Sequence, residues 1–159
     1  MSPHKIAIAL ILSVLLSACA GTPVGPDGTA SLEKAKVDGA IPFGERTILF
    51  QRAGWNQGAY GFQQKPEVES VMGGALSVTE QSVSFILWDR ESSHYKRLWS
   101  VSRHAITDVS VESFGQSRCV VISSANAFYT VSLGKEGSPF VDVEGTEKLG
   151  AMLSIGLKK

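Results

Sequence analysis

The sequence predicts a mainly β domain closed by one C-terminal helix, and three observations predict it. From Arg46 onward, apolar residues recur at every second position in short runs, the period of half-buried strands. Polar turn signals separate those runs at close intervals. Only near the C-terminus does the apolar period lengthen to three and four. Short strands with close turns fold as a small antiparallel barrel or sandwich, here of six to seven strands.

Taken in order, Thr47-Ile48-Leu49-Phe50 opens the first strand. Residues 52 to 66 read as a long Gly-rich connection containing Trp55, Tyr60 and Phe62. Val68 to Met72 is a second strand, expected to break at Gly73-Gly74. Ala75 to Val78, the turn at Thr79-Glu80-Gln81, and Ser82 to Trp88 form a hairpin. After a polar turn over Asp89 to Ser93, Tyr95 to Val101 alternates again. Ile106, Val109 and Val111 lead to Phe114-Gly115-Gln116, Arg118 to Ser123 returns, and Phe128 to Leu133 follows the turn at 124–127. Thr146, Leu149, Met152, Leu153 and Leu157 then form one helical stripe, with Asp142 and Glu144 near its positive end. Gly145, Gly150 and Gly156 weaken that helix, so packing must hold it.

The amino terminus has a different character. Met1 to Lys5 is a polar start with one lysine, and Ile6 to Leu16 is almost wholly apolar. Eleven helical residues span only about 16 Å against a hydrocarbon core of ~30 Å, too little to cross a membrane but the size of a secretory signal. Leu16-Ser17-Ala18-Cys19 follows and resembles the lipobox of bacterial lipoproteins. The resemblance implies a signal peptide over 1–18, a diacylglycerol on Cys19 and a mature chain that begins there. With Ala20 rather than aspartate after the cysteine, it also implies a protein of the cell envelope, at the outer membrane facing the periplasm where the organism has one. Two or three acyl chains anchor durably, since each buried methylene contributes ~0.8 kcal/mol.

Residues 19–44 are expected to form a flexible tether. Pro23, Pro26, Pro42 and five glycines leave no apolar period. A flexible stretch of this length averages roughly 28 Å end to end, and Leu32 to Val37 is too short for a helix that persists alone. Residues 45–159 are the globular domain. Beyond the signal peptide the chain has 14 Lys and Arg against 15 Asp and Glu, a balance that excludes a general nucleic-acid binder. Cys119 lies in the strand-like run Arg118-Cys119-Val120-Val121-Ile122, where a buried inert thiol is expected.

Gly74-Ala75-Leu76-Ser77-Val78-Thr79 with Val83 and Phe85, and Trp99-Ser100-Val101 through Ile106-Thr107-Asp108-Val109, resemble the pleckstrin-homology-like superfold and its GRAM-type variants. The resemblance covers about residues 46–157 and implies a binding module on a β scaffold with a closing helix. Two departures matter. The helix lacks the tryptophan plug of many such domains, and the first loop has only Arg52 and Lys65 as cations, so a phosphoinositide-type basic pocket is not supported.

No metal, cofactor or catalytic constellation is expected. His104 and Asp108 lie about 13 Å apart on a strand, no cysteine cluster has ligand spacing, and Asp89, Glu91 and His94 read as a solvated turn. Gly115-Gln116-Ser117-Arg118-Cys119 lacks the second glycine of a nucleophile elbow. Trp88, Tyr95 and Trp99 read as core, with a ligand groove as the alternative, and Tyr95 and Trp99 share a face on a regular strand. The loop from Gly54 to Phe62, with Trp55, Tyr60 and Phe62, is the expected binding surface, or else a cover over an open end. The functional expectation is a non-enzymatic, lipid-anchored envelope module for a protein or lipid partner. Its alternatives are a small envelope hydrolase using His94 or His104, and a structural or assembly lipoprotein.

Overall fold

The computed structural model describes residues 24–56, 71–114, 117–125, 127–155 and 157, the side chain of Phe114 excepted. The expected signal peptide, Cys19, Tyr60 and Phe62 lie outside the described residues. Seven strands follow one short helix: α1 (Leu32–Val37), β1 (Thr47–Asn56), β2 (Val71–Thr79), β3 (Ser82–Asp89), β4 (His94–Ser102), β5 (Ile106–Phe114), β6 (Ser117–Ser124) and β7 (Ala127–Leu133). A second helix, α2 (Val143–Ser154), ends the fold. All the ladders are antiparallel, and the strand order is β4-β3-β2-β1-β7-β6-β5. A 3-10 turn over Arg103–Ala105 joins β4 to β5. These two strands end the sheet on opposite sides, so it stays open rather than closing into a barrel. The strand count and the closing helix match the sequence expectation of a mainly β fold with one C-terminal helix.

Alternation along each strand makes two faces. Ala53, Leu76, Val78, Val83, Phe85, Val101, Val120, Ile122 and Val131 face inward and meet Leu149 and Leu153 of α2. Asp142 caps α2, its Oδ1 accepting from Gly145 N at 3.0 Å. Thr146 fixes the helix to the sheet, its hydroxyl donating to Asp142 O at 2.7 Å and accepting from Leu133 N at 3.0 Å. Packing therefore holds the helix despite its glycines, as the sequence required.

Three expectations need correction. First, the stretch read as a flexible tether is a packed strap from Val24 to Ile41. Val24, Ala35, Ala40 and Ile41 are buried, and Ala35, Ala40 and Ile41 form a second core with Ile86 and Tyr95 on the outer face of the sheet. Tyr95 ties the strap down: its hydroxyl donates to Val24 O at 2.7 Å and accepts from Ser31 N at 2.9 Å. Asp38, only 1% exposed in its side chain, pairs with Lys34 and accepts from Tyr95 N at 2.7 Å. The apolar residues of the strap show no period because they serve a docked loop and one helical turn, not a long helix.

Second, Gly73-Gly74 does not break β2. Gly74 is where β2 and β3 come close: a Cβ there would lie 2.5 Å from Ile86 O and 2.8 Å from the Phe85 ring. Third, Tyr95 and Trp99 do not share a face. Phe85 pairs with Trp99 while Ile86 pairs with Arg97, which leaves Leu98 as the extra residue of a bulge. The bulge reverses the alternation, sending Tyr95 under the strap and Trp99 into the main core, 5.9 Å from Phe85 and 4.3 Å from Tyr129 between ring centroids.

Gly74→Ala should destabilise the domain by about 1–3 kcal/mol, because the new methyl meets backbone that cannot rotate away; urea unfolding measures it. Tyr95→Phe should cost about 1–3 kcal/mol by leaving Val24 O and Ser31 N without their partner. Amide hydrogen exchange should then rise across 24–41 and stay unchanged in β6 and β7.

Candidate functional site

The strap covers only half of the outer face. On the other half the same alternation turns Arg52, Gly54 and Asn56 of β1 outward, beside Val71 and Gly73 of β2 and Thr130 and Ser132 of β7. The pairs Gly54–Gly73 and Gly54–Ser132 put small residues side by side across three strands. With no side-chain bulk there, the sheet surface sinks into a groove of about 490 Å³.

One wall is the loop from Gly134 to Val141, and it is held in place before any ligand arrives. Gly134 N donates to Arg52 O at 2.7 Å and Lys135 N to Phe140 O at 3.0 Å. The Gln51 amide donates to Gly134 O at 3.0 Å and to Asp142 Oδ2 at 3.2 Å. Gly137 turns the loop at φ 65°. Phe140 stands 74% exposed on this rim, facing a groove that Val71 and Val141 also line.

Two of the described lining residues are cations, Arg52 and Arg118. Arg118 Nε is paired with Glu147 at 3.1 Å. Arg52 has no carboxylate partner among the described residues, and its stem runs along Gly134, where a Cβ would lie 3.1 Å from its Cγ. None of the described lining residues is His, Asp or Glu. The described lining thus offers the Arg52 guanidinium, hydroxyls from Ser117, Thr130 and Ser132, the Asn56 amide, the Cys119 thiol and an apolar rim. That combination is chemically suited to an elongated molecule with a carboxylate or phosphate and an apolar body.

The residues singled out in the sequence fall elsewhere. Trp55, expected on the binding surface, packs inward against Phe85 and Trp99 at 6.0 and 6.2 Å. The reason is parity: β1 extends through Asn56, and Trp55 shares the inner face with Ala53. His94 and His104 flank opposite ends of β4 and are not brought together. His94 lies 3.9 Å from Asp38 Oδ1. Asp89 holds the β3–β4 turn, accepting from Glu91 N at 3.0 Å and Ser92 N at 3.4 Å and pairing with Lys96. Lys96 and the turn hold the Asp89 carboxyl well below its usual range. Among the described residues no group of three His, Cys, Asp or Glu is placed to hold a metal. Cys119 is buried, as its apolar run predicted. Sequence reasoning missed Arg52 as a site residue, although extending the β1 alternation by six residues, from Phe50 to Asn56, brings Arg52, Gly54 and Asn56 onto one face.

Two carboxylates shape the surroundings. At Asp38, burial pushes the carboxyl up, but Lys34, the Tyr95 N–H and His94 together hold it below its ordinary value. At Asp142 the Gly145 N–H leads and outweighs burial, with help from Gln51, Lys135 and Lys148.

No family model matches the chain, and no curated protein matches it. Among solved structures it is similar to the hSac2 domain from human phosphoinositide phosphatase Sac2, at 12% identity and a TM-score of 0.49, covering 98% of this chain and 82% of that one. It is also similar to the N-terminally truncated linker-DH/PH domains of p115-RhoGEF, at 7% identity and a TM-score of 0.48, covering 82% of this chain and 35% of that one. At these identities and scores, neither likeness assigns an activity or a ligand.

Asp142→Ala should cost about 1 kcal/mol through the lost cap and loosen the groove rim through Gln51. Because the folded carboxyls of Asp38 and Asp142 lie below their unfolded values, their stabilisation is complete above the unfolded value near pH 4 and lost as pH falls through the folded one. Asp142→Ala should therefore flatten the acid limb of stability measured by thermal unfolding against pH.

Proposed function

We propose that this chain is a lipid-anchored, non-enzymatic binding module of the cell envelope, attached through Cys19 and seating its partner in the groove over Gly54. The observation that carries the reading is Arg52, without a carboxylate partner among the described residues, in a preformed, partly apolar groove whose described lining includes no acid or imidazole. The lipobox Leu16-Ser17-Ala18-Cys19 supports the anchor and the compartment. The partner that fits is an acidic, partly apolar one: an envelope protein segment or a lipid with an anionic head.

A photo-crosslinking residue at Phe140, in the full chain inside cells that make it, should capture that partner. The product should disappear with Arg52→Glu, while the same probe at Glu112 on β5 captures nothing. Equal capture at 140 with and without Arg52→Glu would remove the groove from the function.

A further inference from the structure

The first packed residue and the expected lipid are separated by little chain. Val24 is buried and its carbonyl is bonded to Tyr95 of β4. From Cys19 to Val24 a fully extended chain spans at most about 17 Å. A lipid on Cys19 therefore holds the domain by its β4 side and close in, not at the end of a 25-residue tether.

The β4 side has its own chemistry. From Ser92 to Thr107 the chain carries Lys96, Arg97, Arg103, His94 and His104, and no aspartate or glutamate. Lys96 pairs with Asp89 across the hairpin, while Arg97 and Arg103 have no carboxylate partner among the described residues. The bulge places Leu98, 43% exposed, directly after Lys96 and Arg97. At the other end of the sheet the charge is reversed: β5 has Asp108 and Glu112 and no lysine or arginine. Charge alone on an edge strand serves to repel other strands. An exposed leucine bulged out among the cations works against that purpose, and suits instead an interface with both anionic heads and apolar chains.

We propose that the β4 edge, with Arg97, Leu98 and Arg103 in contact, lies on the anionic lipid surface into which the Cys19 lipid inserts. The assignment rests on the lipid-anchor reading above. The length scales agree. The potential of an anionic surface decays over about 8 Å at physiological ionic strength, so a 28 Å flexible tether would leave the basic edge mostly outside it. The short link brings the edge within reach. The acidic β5 edge and the groove then remain open to the aqueous side, where a partner can approach.

The test uses the full chain purified with its anchor, in a Cys119→Ala background, with a polarity-sensitive fluorophore on Leu98→Cys or, as control, on Asp108→Cys. Each protein is reconstituted into vesicles of phosphatidylethanolamine with phosphatidylglycerol, or of phosphatidylcholine alone. The intact mass of the N-terminal peptide is read in the same samples. In lipidated protein, acrylamide quenching at 98 should fall severalfold on the phosphatidylglycerol vesicles and recover with Arg97→Glu plus Arg103→Glu. At 108 it should not change. Equal quenching at 98 in both vesicles overturns the assignment while leaving the anchor intact. Protection at 98 that ignores lipid charge and rises with protein density assigns the edge to a second copy and also overturns it. A peptide mass without lipid removes the anchor reading, and this one with it.

Discussion

Strand β3 is buried on both faces over Ser82 to Ile86, and this double burial organises the rest of the molecule. Val83 and Phe85 need a cover on one side of the sheet, and Ile86 and Trp88 need one on the other. A single helix can close only one of these sides, and α2 closes the inner one. The outer side is closed from the opposite end of the chain by the strap, which brings Ala35, Ala40 and Ile41 over Ile86 and Tyr95. The strap is thus a third layer in the sense that any two-faced sheet demands. Its limits also decide where the outer face stays open.

That boundary falls along β1. Phe50 lies under the strap, and Arg52, two positions on, lies in the groove. The same strand therefore serves packing at one end and floors the open groove at the other. What separates the two is side-chain size: Phe50, Ile86, Trp88 and Tyr95 fill the space where the strap packs, and Gly54, Gly73 and Ser132 floor the groove. The glycine at 74 faces inward and answers to a different need, the close passage of the Phe85 ring.

Much of this architecture was legible in the sequence. Strand alternation gave the hairpins β2–β3, β3–β4 and β6–β7 to within a few residues, and the three-four period gave α2 with Asp142 at its start. The misses share a physical cause: each depends on contacts between residues far apart in the chain. The strap has no period of its own and is specified by Tyr95, which lies 71 positions from Val24. The bulge at Leu98 leaves no mark in composition, so Tyr95 and Trp99 could not be sorted between faces. The expected surface residue Trp55 went inward because β1 runs six residues beyond its obvious apolar core, and that extension is held by pairing to β7 as well as β2. Arg52 gained its place from the same extension.

The strap also sets an order of events. It is synthesised before the strands that receive it, and docking it closes a loop of 64 to 71 residues. Long loops close late, because their entropy is lost before any contact repays it. The inner core, made of neighbouring hairpins and α2, depends on no part of the strap and can consolidate first. Tension applied at the amino terminus would meet the same hierarchy in reverse: the bonds to Tyr95 stand directly in line with the pull, and the β6–β7 ladder does not. Under such a load the strap is the part that gives way first, while the groove over Gly54 keeps its shape.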